Sequence, residues 1–205
     1  MSARDDILAA LERNGASAIA PGADTLPPVP AIARKVGDDA LARFLTLAIE
    51  SLAEIVEVAD CHAAMRAVAE RLPKDTKLAV APQDELVGYD WAKHGIAVHI
   101  GTSAELKSGI SMADAAIAET GSLLFLSAPK SPTLAHFLPD LHFALVKRST
   151  LLTGLNEALA LARTRSMPTT VNFITGPSRS GDIEQTLELG AHGPRQLVII
   201  FLMES

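Results

Sequence analysis

Between residues 39 and 202, short β-branched or apolar runs alternate with segments whose apolar positions recur at helical spacing. That alternation restricts the fold more than any other feature, because strands separated by helices pair in parallel and need cover on both faces. Leu41, Phe44, Leu45, Ala48 and Ile49 mark a helix over 39–51. A strand over 53–58 follows, then a helix over 61–72 with Met65, Val68 and Leu72 turned inward, then strands over 77–81 and 96–100. Met112 to Ala118 reads as helix, 121–127 as strand, 132–138 as a short helix, 141–146 as strand and 152–164 as helix. The expected fold is α/β, a layered and mostly parallel sheet flanked by helices.

The last part of the chain, FITGPSRSGDIEQTLELGAHGPRQLVIIFL (173–202), packs polar and turn-forming residues between two apolar runs. Val171 to Thr175 reads as a strand that Gly176–Pro177 ends, since proline cannot donate to a ladder. Asp182, with Gln185 three residues later, has the order of a helix-capping box, and Gly190 with Pro194 beyond it suits a helix end. The spacing predicts a two-turn helix starting at Asp182, before the strand 197–202. Its first N–H groups, with Ser178, Arg179 and Ser180 ahead of them, form either a plain turn and cap or a site for a small carboxylate or phosphate. The loop has neither the lysine of a phosphate-binding loop nor a three-glycine dinucleotide fingerprint.

Ahead of residue 38, Ser2 and Asp5 form another capping box, and Pro21, Pro27, Pro28 and Pro30 break any helix over 16–37. The expected organisation is an N-terminal helix and proline-rich linker arm over 1–37, followed by an α/β domain over 38–205. A net charge of −6, with no basic run interleaved with aromatics, argues against a nucleic-acid partner. No apolar run has the length of a membrane span, and the start has no basic flank or apolar signal core, so a cytoplasmic location is expected. Cys61 is the single cysteine. It excludes an internal disulfide and a self-contained iron–sulfur cluster, which takes four ligands, mostly thiolates.

Ligands of open α/β sheets bind outside the carboxyl ends of the strands. The loops 101–103, 118–122 and 176–182 are the polar candidates for that rim. Glu119, between Ile117 and Leu123, is the candidate catalytic carboxylate if burial raises its pKa; otherwise it is a helix-end glutamate bonded to backbone. Ser178, Asp182 and His192 have the residue types of a nucleophilic triad without a nucleophile elbow, so His192 is read as a turn residue that can face a ligand. His62, His94, His99, His136 and His142 have no metal-ligand spacing, and no metal is expected. Arg179 can fork onto a substrate carboxylate or pair with a surface acid.

Three segments in this order and spacing, AAIAETGSLLF (115–125), FLPDLHFALV (137–146) and 173–202, resemble the LUD-domain family, in particular its lactate-utilization protein C branch. The resemblance runs from about residue 40 onward. It implies the fold of the ribose-phosphate isomerase and CoA-transferase group. It also implies a role in oxidising L-lactate to pyruvate beside two iron–sulfur partner proteins, with no cofactor held by this chain. The family's signature falls here on Glu119, Thr120 and Gly121, then Gly176, Pro177, Ser178, Asp182, Ile183 and Glu184, then Gly190, His192, Gly193 and Pro194. Where the family more often has Thr-Ala, this chain has Ser180–Gly181, which keeps a hydroxyl and a small residue. Two other roles fit the residues: a stand-alone enzyme on a sugar phosphate, acyl-CoA or folate-like substrate acting through Glu119, and an assembly or regulatory module with no small-molecule site.

Overall fold

The structure is a computed structural model that describes residues 4, 39–165, 168–181, 187–189 and 193–203. The expected N-terminal capping box and proline-rich linker fall outside them.

Helix α1 (Ala40–Glu50) begins where the Asp39 side chain accepts the Ala42 N–H, and it buries Phe44 and Ala48. Strand β1 (Glu54–Val58) follows, then α2 (Cys61–Arg71), capped by Asp60 accepting from Ala63 and burying Ala64, Met65, Ala67 and Val68. The chain continues through β2 (Leu78–Val80), the short α3 (Asp84–Val87) and β3 (Val98–Ile100). Next come β4 (Ser108–Met112), β5 (Ala115–Ile117), β6 (Ser122–Leu126), α4 (Leu134–Phe137), β7 (Leu141–Lys147) and β8 (Leu151–Leu152). The last elements are α5 (Leu155–Thr164), β9 (Val171–Ile174), β10 (Arg179–Gly181), β11 (Leu187–Leu189) and β12 (Gln196–Leu202).

Six strands in the order β1-β12-β7-β4-β2-β3 form one sheet, and every pair in it is parallel. One face packs Phe143, Leu145, Ile110, Val198 and Ile200 against α2, Leu86 and Trp91. The other packs Ala144, Val146, Leu197, Ile199 and Phe201 against Phe44 and Ala48 of α1 and against Leu123 and Phe125 of a second sheet. Burial on both faces is why β7 and β12 read as continuous apolar runs rather than alternating ones.

The second sheet, ordered β8-β5-β6-β9, is mixed: β5 and β8 are parallel, the other two pairs antiparallel. Its outer face, with Ala115, Ile117, Leu124 and Leu126, is covered by Ala158 and Ala162 of α5. The layers therefore run helix, parallel sheet, then α1 beside the mixed sheet, then α5. The parallel sheet and its helical cover match the sequence expectation, whereas the second sheet was not anticipated.

Two expected helices are replaced by strands. The stretch expected as helix over 112–118 instead ends central strand β4 and forms β5. Its alanines favour a helix, but Ser108–Met112 is buried between β2 and β7, and tertiary pairing overrides that propensity. Further on, Leu187–Leu189 is not the body of a helix begun at Asp182. It pairs antiparallel with Arg179–Gly181, with Ser180 opposite Glu188. Ile183 and Leu187 suit a helix by spacing, but Leu187 and Leu189 about Glu188 also fit the two-residue period of a strand. Asp182, Glu184 and the rest of 182–186 lie outside the described residues, as does His192.

Candidate anion-binding cleft

The three polar loops do not share one rim. Gly101 to Ser103 follow the carboxyl end of β3, 118–122 turn between β5 and β6 in the second sheet, and 175–178 leave β9 of that sheet. Two of the loops are drawn together by α1. Gly121, at φ +67°, lies so close that an added Cβ would be 2.6 Å from the Leu47 Cβ and 2.7 Å from the Ala48 nitrogen. Gly176, at φ +77°, would meet the Ser51 carbonyl oxygen at 2.0 Å. The two signature glycines thus seat on α1 one turn apart, and a 2.5 Å bond between Ser122 Oγ and Thr175 Oγ1 ties their strands. Both glycine requirements are met by this close backbone approach, which only a residue without Cβ allows.

Glu119 points away from this junction. Its Oε2 accepts the Leu155 N–H at 2.9 Å and so satisfies a free donor in the first turn of α5, while its own N–H donates to the Thr153 carbonyl at 3.0 Å. Arg43 Nη2 donates to the Glu119 carbonyl at 3.4 Å. The backbone-bonded reading of this glutamate is the one the geometry displays. Thr120 Oγ1 beside it is buried with no hydrogen-bond partner among the described residues.

After Gly176 the loop runs to the amino ends of β1, β12 and β7, where it walls an open cleft of about 320 Å3. Pro177 and Arg179 line it from the loop, Leu52 and Glu54 from the start of β1, Arg71 from the end of α2, and Leu141 and Arg195 to Val198 from the starts of β7 and β12. The Ser178 N–H donates to the Pro194 carbonyl at 2.7 Å, and the Arg195 and Gln196 N–H groups both donate to the Asp140 carbonyl, at 2.8 and 2.9 Å. These bonds hold Arg179 and Arg195 on one opening. Leu52 on its rim has φ +68°, a left-handed conformation, because it closes α1: its N–H reaches the Ile49 carbonyl and the Ala53 N–H the Ala48 carbonyl.

Three guanidinium groups and one carboxylate line this opening, and with Glu70 and Asp140 3.7 Å from Arg71 and Arg195, and Lys107 3.7 Å from Asp140, a small positive excess remains on a chain of net charge −6. Arg71 Nε binds Glu54 Oε1 at 2.6 Å. A cleft of one sign concentrates ions of the other, so a small anion is the ligand its chemistry favours. The location departs from the carboxyl-end rim expected from the sequence. Of the site residues named from sequence, Arg179 lines the cleft and Gly176 and Ser178 shape its wall. Thr120 and Gly121 sit under α1, Ser180 lies on β10, and Asp182, Glu184 and His192 fall outside the described residues. Arg71, Glu54 and Arg195 were missed. Their signal is weak, since each is one ordinary charge at an element end and only the fold gathers them.

A second cluster was missed entirely. In the dry space between the sheets, Ser111 Oγ bonds His136 Nδ1 at 3.0 Å and His142 Nε2 at 2.8 Å, with Phe125 stacked 4.2 Å from the His136 ring. Burial pushes His136 down to about 4, and burial with the neighbouring His136 pushes His142 down to about 3. Both rings are therefore neutral, and because a hydroxyl has one proton to give, one of the two contacting nitrogens carries a proton and the other does not; as these are Nδ1 of His136 and Nε2 of His142, the rings share one tautomer. The available signal was that both histidines sit inside apolar runs, LAHFL and LHFAL. Among the described residues, no group of three or more His, Cys, Asp or Glu side chains is arranged to hold a metal ion, and no helix is long and apolar enough to cross a membrane.

The family model of the LUD domain matches residues 41–202. The chain is similar to lactate utilization protein C of Geobacillus kaustophilus, 30% identical over 148 residues, 65% of this chain and 62% of that protein. It is similar also to lactate utilization protein C of Bacillus subtilis, 26% identical over 148 residues with the same coverage. The match thus spans less than two thirds of those relatives. Among solved structures, a DUF162 family protein of Deinococcus radiodurans has the same fold, with a TM-score of 0.63 at 18% identity over 80% of this chain and 96% of that one.

Proposed function

The chain belongs to the LUD domain family, and from that premise we propose that it works in lactate utilization, as the component without iron–sulfur clusters in a system that oxidises L-lactate to pyruvate. Two iron–sulfur proteins are its partners in this reading. The oxidation removes two electrons and two protons from the substrate. With Cys61 as its only cysteine, this chain has no thiolate set for a cluster, so the electrons leave through the partners.

The observation that carries the reading is that Arg179, from the family's signature loop, lines the positive cleft beside Arg195. The chain's part is to hold a small carboxylate or phosphate there. A guanidinium fork matches either group with two parallel N–H bonds.

The test is lactate-dependent dye reduction by the two iron–sulfur partners, with and without the purified chain, and then with Arg179→Ala and Ser178→Ala. Activity that needs the chain and falls with Arg179→Ala supports the reading. Full activity without the chain removes it as a working subunit, and activity indifferent to both substitutions removes the cleft.

A further inference from the structure

The charge arrangement of the cleft goes further than its sign, and the step rests on the reading of that cleft as an anion site. Arg71 is already matched, with Nε on Glu54 Oε1 at 2.6 Å and Nη1 donating to the Ala67 carbonyl at 3.1 Å. Arg195 Nε stands 3.7 Å from Asp140 Oδ1, beyond hydrogen-bond length, and Asp140 is shared at 3.7 Å with Lys107 Nζ. Among the described residues no carboxylate forms an ion pair with Arg179. Two guanidinium groups on one opening therefore retain hydrogen-bonding capacity, where the start of β12 closes its inner end.

We infer that the ligand of this cleft is a small dianion, a short dicarboxylate or a phosphate ester, rather than a monocarboxylate such as lactate. A single carboxylate answers one fork and leaves the other guanidinium short of charge, since the Asp140 carboxylate near Arg195 is shared with Lys107. A dianion answers both with charge-assisted hydrogen bonds.

Calorimetric titration of the full chain with succinate, glycerol phosphate and L-lactate at pH 8 and one fixed ionic strength tests this. At least one dianion is expected to bind about tenfold or more tighter than L-lactate, and the stronger of the two identifies the class. Arg179→Ala and Arg195→Ala should each weaken it about tenfold or more, Glu54→Gln should tighten it by freeing Arg71, and Lys130→Ala, which is paired with Asp84 away from the lining, should change it little. L-lactate binding as tightly as both dianions, in an Arg179-dependent manner, overturns the inference and leaves the anion cleft standing. Dianion binding that survives both arginine substitutions overturns the assignment to this cleft. No binding by any probe overturns both.

Discussion

Ser111 Oγ on β4 lies 2.8 Å from His142 Nε2 on the adjacent strand β7, in a core where both residues are essentially without solvent contact. The pair, with His136 on the other side of the hydroxyl, couples the stability of the fold to protons. Unfolded imidazoles titrate near 6.5, whereas burial holds these two at about 4 and about 3. The unfolded chain therefore takes up protons that the folded core refuses, and stability falls with acid.

The expected loss begins as pH drops below about 6.5 and continues toward the folded values, at about 1.4 kcal/mol per pH unit for each histidine. Urea unfolding followed from pH 7.5 down to pH 5 should show stability falling by about 4 kcal/mol from this pair. The double variant His136→Gln/His142→Gln should flatten the profile over that range. A wild-type profile already flat there would show that the two rings are not held neutral.

Removing the hydroxyl alone is the complementary experiment. Ser111→Ala leaves two buried ring nitrogens without their only hydrogen-bond partner among the described residues. The cost is expected at about 1–3 kcal/mol for each group left unsatisfied, read as a lower urea midpoint at pH 7.5. An unchanged midpoint would mean that the rings find other partners.

The two glycines on α1 should be far less tolerant than their exposed-loop sequence context implies. Gly121→Ala places a methyl 2.6 Å from Leu47 Cβ at φ +67°, and Gly176→Ala places one 2.0 Å from the Ser51 carbonyl oxygen at φ +77°. Left-handed strain alone costs about 1–2 kcal/mol, and the overlaps add about 1–3 kcal/mol more. Thermal unfolding should show both variants strongly destabilised, with Gly176→Ala the worse because its clash is with backbone. As a contrast, Gly95→Ala, at φ +73° with no atom near the added Cβ, should lose only the strain.

How far the sequence foretold this molecule can be judged from these same residues. Long apolar runs such as Leu141–Lys147 and Gln196–Leu202 announce strands buried on both faces, and the helical spacing of Leu41, Phe44 and Ala48 and of Met65, Val68 and Leu72 announces α1 and α2. The alanine-rich 112–118 misleads because its strand character comes from neighbours, β2, β6 and β7, that periodicity cannot see. Arg179 was legible as a candidate on its own loop, whereas Gly121 and Gly176, named only as signature positions, prove to be seated against the backbone of α1 and its C-cap Ser51. Arg71 and Arg195 were not, since 124 positions of chain separate them and only the pairing of β1 with β12 brings their element ends to one opening.

Glu119 decides between two accounts of the family signature. Its carboxylate accepts the Leu155 N–H at 2.9 Å, and the neighbouring Gly154 would put a Cβ 2.8 Å from that same oxygen. A side-chain acceptor for a free N–H at a helix start is worth about 1 kcal/mol. Glu119→Ala should therefore lower stability by about that amount, and Glu119→Gln, which keeps an acceptor oxygen, by less. Neither should abolish lactate-dependent dye reduction in the reconstituted system at a temperature where both variants are folded. Catalysis through this carboxylate would give the opposite pattern, with Glu119→Gln as inactive as Glu119→Ala although it unfolds like the parent chain. Measuring midpoint and turnover on the same two variants separates the structural role from the chemical one.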